Sequence, residues 1–202
     1  MKIFMQNIDW LKNENKLSKY IEQLPEVIRN KALKAKSQRR KAEIAVGFFL
    51  ARIALEQYGA EEGKIKYADN GKPYVSGAEY NLSHSGSLVV AAASEKPVGI
   101  DIQKTVTYKK RVAGKFCCDE EINYIEKSEN KDVIFTCLWA LKEALCKTSG
   151  AGLGEFLKGK NLTAVLQGDT VSGGLNYYML RIDGYVLAVC SEGEITPEII
   201  IL

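Results

Sequence analysis

Trp139, Glu143 and Lys147 follow one another at four-residue intervals in the run Trp139-Ala140-Leu141-Lys142-Glu143-Ala144-Leu145-Cys146-Lys147. On an α-helix these side chains share one side. A carboxylate there can complete an oxygen-rich cation site, and an ammonium one turn further on offers a compact positive charge to a phosphate. The same two residues also suit a plain surface pair worth about 0.2–0.5 kcal/mol. The large aromatic on their face argues instead that this side meets another part of the protein. In Gly99-Ile100-Asp101-Ile102-Gln103, a strand places Asp101 and Gln103 on one face and sends Ile100 and Ile102 into the core. Two oxygen-bearing side chains so placed suit a hard cation beside phosphate. In Asn81-Leu82-Ser83-His84-Ser85-Gly86-Ser87, small polar residues and a glycine allow a close backbone approach to a ligand, and the only imidazole of the chain can donate to phosphate. On the residues alone, a polar turn with a hydrogen-bonded histidine is the more ordinary reading of that segment.

The elements that must position these residues are legible in outline. Apolar Ile44, Phe48, Ala51, Leu55 and Tyr58 recur on one helical face, which predicts a helix over 37–58 stopped by Gly59. Asp69-Asn70-Gly71 signals a turn before Lys72-Pro73 and a short extended piece. Leu88–Ala93 and Val98–Ile102 read as strands joined by a turn over Ser94–Pro97. A short helix is expected from Asp119, its candidate cap, to Ile125. A longer one is expected over Asp132–Thr148, burying Phe135, Leu138, Leu141 and Ala144-Leu145 and ended by Gly150. Asp183-Gly184 between Leu175–Ile182 and Tyr185–Ser191 predicts a hairpin. Each half thus offers a long helix with antiparallel strands, an α+β pattern, with the boundary between Ala93 and Val98 and halves of 1–96 and 97–202. The terminal Ile199-Ile200-Ile201-Leu202 is expected to be packed.

Composition excludes several classes. The chain has 202 residues, 46% hydrophobic and 26% charged, which suits a folded protein able to bury a core without disulfides. Its five cysteines include no Cys-x-x-Cys and accompany one histidine, so a structural zinc site is rejected and the thiols read as small apolar residues of a reducing compartment. Ala42–Leu55, the longest candidate membrane stretch, is short and interrupted by Glu43 and Arg52. No signal peptide is recognised at Met1–Trp10, and a cytoplasmic location is expected. The net charge of +3 says little, but Arg29, Lys31, Lys34, Lys36, Arg39, Arg40 and Lys41 form an acid-free run that attracts phosphates, nucleic acid or an acidic protein surface.

Lys72-Pro73, Asn81-Leu82-Ser83-His84-Ser85, Gly99-Ile100-Asp101 and the Trp139–Lys147 run resemble, in that order, the motifs of the phosphopantetheinyl transferase superfamily, in its monomeric type that activates peptide synthetases. Gly150-Ala151-Gly152-Leu153 also looks like the family's glycine-containing segment. The resemblance runs from about Arg39 to Leu153. It implies two similar α+β halves with coenzyme A in the cleft between them, and transfer of phosphopantetheine from coenzyme A to a serine of an acyl or peptidyl carrier protein. Asp101 and Glu143 are then the expected metal ligands, with magnesium the default ion and manganese an alternative. Lys147 is expected at the transferred phosphate and His84 at a phosphate. Lys72 with Pro73 belongs beside the nucleotide's 3′-phosphate, joined by Ser83 and by a basic side chain from Arg39, Arg40 or Lys36. Lys142 lies on another helical azimuth and receives no chemical step. Gln103 departs from the form of the motif that has glutamate, so a weaker, neutral oxygen ligand is expected there. An acidic carrier helix is expected to approach the positive surface that includes Lys34 and Lys36. A monomer without membrane or nucleic-acid partners is expected. The competing readings are a nucleic-acid-binding protein using residues 29–41, which leaves Asp101, Glu143 and Lys147 idle, and a catalytically idle carrier-protein adaptor.

Overall fold

The computed structural model describes residues 1–58, 66–67, 73–150, 158–168 and 174–202. The chain divides into two compact units, Met1–Glu95 with Pro197–Leu202 and Lys96–Thr196. Both mix helices with largely antiparallel sheet, an α+β construction.

The first unit is a sheet in the order β4-β5-β1-β9, formed by Glu79–Ser85, Leu88–Ser94, Lys2–Asn7 and Glu198–Ile201. Strands β4, β5 and β1 are antiparallel, while β9 runs parallel to β1. Helices α1 (Glu14–Glu22), α2 (Glu26–Leu33) and α3 (Gln38–Glu56) complete it. Ser37 begins α3 by accepting a hydrogen bond from the Arg40 amide, the usual service of a serine cap. Ala42, Ala45, Phe48 and Leu55 of α3 share a core with Phe4, Val89, Ala91 and Ala93. The buried surface of α3 is wider than the predicted stripe, since Val46, Leu50 and Ala54 are buried as well. Short strands β2 (Lys66–Tyr67) and β3 (Pro73–Tyr74) pair through Tyr67 and Pro73. The expected turn between them, Asp69–Gly71, lies outside the described residues, as do Gly59 and Lys72.

The second unit is a sheet in the order β6-β8-β7, formed by Val98–Lys104, Tyr185–Ser191 and Asn176–Ile182. Its helices include α4 (Lys110–Ala113), α5 (Asp119–Lys127), α6 (Lys131–Ser149) and α7 (Thr163–Leu166). The β7–β8 hairpin closes with Ile182 opposite Tyr185 and left-handed Asp183 and Gly184, as the sequence predicts. Helix α6 ends at Gly150 in the left-handed conformation, also as predicted.

Four expectations are corrected. Strands β5 and β6 do not form a hairpin: Ser94–Pro97 is the passage from one unit's sheet to the other's. Residues 197–202 belong to the first unit, because β9 pairs with β1, so the second unit stops short of the expected 202. Asp119 is the first helical residue of α5 and Cys118 its cap, with the Cys118 amide donating to Glu121 Oε2 at 3.0 Å. The apolar tail is strand-paired but not packed throughout, with Ile201 72% and Leu202 53% exposed on an edge strand.

Candidate active site

In the second unit the site is built by the contact of α6 with β6. Glycine at position 99 makes that contact possible. A Cβ there would run into the Ala144 carbonyl and lie 2.6 Å from the amide and hydroxyl of Thr148. The helix therefore rests on the Gly99 face of β6, which is also the face of Asp101 and Gln103. This corrects the expectation that only Ile100 and Ile102 point into packed protein: Asp101 is itself just 5% exposed. Thr148 adds a tie, its hydroxyl lying 2.9 Å from the Cys190 carbonyl on β8.

With α6 so seated, Lys147 Nζ donates to Asp101 Oδ1 at 2.8 Å and to the Ile100 carbonyl at 3.0 Å. Lys147 is thus a partner of Asp101 before it is a ligand of anything else. Glu143, one turn back, is half-buried, and burial pushes its carboxyl above the usual carboxylate range. The negative charge of Asp101 pushes it the same way and Lys147 opposes. Asp101, Glu143 and Lys147 accordingly form one electrostatic group. Gln103 and Trp139 line a common hollow of about 550 Å³ with Val106, Val112 and Phe135, which sets Gln103 near the Trp139 end of the same helix face. Trp139 stacks edge-on against Phe116 at 4.5 Å, which fixes the aromatic that the sequence places on this side.

The donors here are all oxygens: two mutually destabilising carboxylates and an amide on the same strand face. Such a set suits a hard divalent cation completed by phosphate or water oxygens, and it does not suit zinc. Among the described residues no group of three or more His, Cys, Asp or Glu converges. The cysteines do not compete for chemistry. None of the five is in a disulfide, and burial raises the thiols, Cys117 to about 12, well away from a reactive thiolate.

Lys142 proves structural, in keeping with its different azimuth. Its side chain is 1% exposed and meets fully buried Glu121 at 2.8 Å, while also donating to the Lys160 carbonyl at 2.8 Å. Glu121 receives the Leu162 amide at 2.9 Å on its other oxygen. This pair joins α5, α6 and the stretch entering α7. Glu121 was not singled out from the sequence, although an acid three residues after a helix cap is a recognisable box.

The first unit carries a second polar cluster, where α3 crosses the end of β4. Arg40 NH1 lies 2.6 Å from His84 Nε2 and 3.0 Å from Glu43 Oε2, and His84 Nδ1 lies 3.4 Å from the same glutamate oxygen. Guanidinium can only donate, so His84 Nε2 accepts and the ring proton sits on Nδ1, toward Glu43. His84 therefore orients Arg40 in this arrangement, whereas the sequence reading has it donating to phosphate. Arg39 donates from Nε to Glu43 Oε1 at 3.2 Å and from NH2 to the Gly86 carbonyl, which makes it a strut across the β4–β5 turn. Ser83 is buried, and the alternation of β4 sends it to the face opposite His84, so the two side chains do not converge. Pro73 lies in β3, Lys72 and Ala151-Gly152-Leu153 lie outside the described residues, and Lys34 and Lys36 are exposed. Glu43 is the member of this cluster that the sequence reading missed, because residues 29–41 were read as a run of one sign and the acid just beyond it was not.

Residues 97–190 match the 4′-phosphopantetheinyl transferase superfamily. The chain is 32% identical over 117 residues to 4′-phosphopantetheinyl transferase Sfp of Bacillus subtilis (strain 168), covering 54% of this chain and 52% of that protein. It is 36% identical over 105 residues to 4′-phosphopantetheinyl transferase psf-1 of Bacillus pumilus, covering 50% of this chain and 44% of the relative. Over 86 residues it is 37% identical to 4′-phosphopantetheinyl transferase gsp of Aneurinibacillus migulanus, covering 41% and 36% of the two chains. The chain spans about half the length of the curated relatives it matches. That matched segment holds Asp101, Glu143 and Lys147.

Proposed function

We propose that this protein is a 4′-phosphopantetheinyl transferase that moves phosphopantetheine from coenzyme A to a serine of an apo-carrier protein. The observation that carries the reading is the Lys147–Asp101 contact with Glu143 one turn away, set inside the segment that matches the superfamily. In the proposed reaction the serine oxygen forms a bond to the β-phosphorus of coenzyme A. The bond from that phosphorus to the oxygen bridging the two phosphates breaks, and adenosine 3′,5′-bisphosphate leaves. Glu143 accepts the serine proton directly or through water, a task favoured by its raised proton affinity. Lys147 keeps Asp101 in place and directs its remaining N–H toward the phosphoryl oxygens. A divalent cation, magnesium or manganese, held by Asp101 and Glu143 with a weaker contribution from Gln103, supplies charge neutralisation at the pyrophosphate. Arg40, oriented by His84, is assigned to the 3′-phosphate, with Lys72 and Pro73 as further nucleotide contacts.

On this reading the two units are the two similar halves of the enzyme, acting as a cytoplasmic monomer on an acidic carrier. Among the described residues no helix is long and apolar enough to cross a membrane. The nucleic-acid alternative is weakened because Arg39 and Arg40, near the end of the basic run, are already tied to Glu43. Incubation with coenzyme A, magnesium and an apo-carrier protein, followed by intact-mass measurement, tests the proposal. One added phosphopantetheine per carrier is expected. An unchanged carrier mass with coenzyme A still bound points to the idle adaptor instead.

A further inference from the structure

Glu43 lies where an anion-binding cluster should have no acid. Its side chain is 9% exposed, and its carboxylate meets three cationic or protonatable groups: Arg39 at 3.2 Å, Arg40 at 3.0 Å and His84 at 3.4 Å. The donors assigned above to the nucleotide's 3′-phosphate are therefore partly satisfied by the protein itself.

We propose that Glu43 is an internal counter-ion that competes with the 3′-phosphate for Arg40, and so limits how tightly coenzyme A and the departing adenosine 3′,5′-bisphosphate are held. The inference rests on the assignment of this cluster to the 3′-phosphate. Two effects oppose each other. Glu43 orders long arginine side chains, which favours binding, and it repels an incoming phosphate of about −1.5 to −2 charge. The ordering does not depend on Glu43 alone. Arg39 keeps the Gly86 carbonyl and Arg40 keeps His84 Nε2 when the carboxylate is removed. Repulsion has no such substitute: among the described residues Glu43 is the carboxylate paired with both arginines. Electrostatics therefore decides the sign: neutralising Glu43 tightens the grip on the 3′-phosphate. The product carries the same phosphate, so its release slows in proportion.

The test is calorimetric binding of coenzyme A and of 3′-dephospho-coenzyme A to the wild type, Glu43→Gln and Glu43→Ala, at low and high salt. The wild type is expected to prefer coenzyme A. In Glu43→Gln, affinity for coenzyme A rises about five- to tenfold at low salt while affinity for the dephospho form stays unchanged, and the gain shrinks as salt screens it. The alanine variant carries the same expectation, so a folding defect in one leaves the other to decide. Equal or weaker coenzyme A binding by a folded variant overturns the inference and makes Glu43 a strut. A wild type that does not distinguish the two ligands overturns the 3′-phosphate assignment, and the role of Glu43 with it.

Discussion

Lys147 Nζ sits 2.8 Å from Asp101 Oδ1, joining the last turns of α6 to the middle of β6 across a face that a glycine leaves open. The contact neutralises a nearly buried carboxylate and fixes the helix register in one step. Replacing Lys147 by Met should leave Asp101 without its cation and destabilise the second unit by about 3 kcal/mol, the low end for a broken buried pair because Lys147 is 26% exposed. Carrier modification should fall about 10²–10³-fold. Lys147→Arg should recover stability better than activity, since the fork does not reproduce a point charge. Mass-monitored transfer and urea unfolding read the two effects separately.

Gly99→Ala tests the seating of α6 more severely than its single added carbon suggests. The new Cβ meets helix backbone, which cannot rotate aside as a side chain can. A loss of about 1–3 kcal/mol or more is expected from forced repacking. Transfer should fail even at temperatures where circular dichroism shows the variant folded, because Glu143 and Lys147 ride on the displaced helix.

Glu143 gives stability a definite pH slope. Burial, then the charge of Asp101, raises its carboxyl in the folded protein, so the native state holds a proton that the unfolded chain has released. Between the unfolded value of about 4.3 and the raised folded value, stability falls as pH rises, and above both the penalty is complete. Glu143→Gln should therefore melt higher than the wild type at neutral pH in chelator, with the difference vanishing below about pH 4. The same variant should abolish transfer while retaining coenzyme A binding. A wild type that melts higher than the variant at neutral pH contradicts the sign.

Glu121→Gln should be costly although Glu121 touches no proposed substrate. It leaves the Lys142 ammonium, 1% exposed, facing a neutral amide. A loss of about 3–5 kcal/mol is expected. The double variant Glu121→Gln, Lys142→Met should recover part of it, and a double-mutant cycle by thermal unfolding measures the coupling.

Much of the second unit was legible in the sequence because its signals are local. Asp183-Gly184 sets a hairpin by backbone conformation alone, and the periodicity of α6 puts Glu143 and Lys147 on one side without reference to the rest of the chain. What escaped depends on partners distant in sequence. Leu88–Ser94 and Val98–Lys104 look like a hairpin because nothing in a three-residue gap tells a turn from a passage between sheets. Asp101 looks outward-facing because alternation predicts faces but not which face a helix will cover. Glu43 and Glu121 look like ordinary surface acids until the fold brings Arg39, Arg40, His84 and Lys142 to them.

The parallel pairing of β9 with β1 sets an order on synthesis. Lys2–Met5 emerge from the ribosome long before their neighbours Glu198–Ile201, which follow only after the whole of Lys96–Thr196 has been made. At about 5–20 residues per second, one side of β1 stays an open edge for on the order of ten seconds or more. Meanwhile the second unit can complete its own sheet, because none of its strands needs residues from outside Lys96–Thr196. The unit bearing Asp101, Glu143 and Lys147 can thus close before the unit bearing Arg40 and His84, which waits to be stitched by β9.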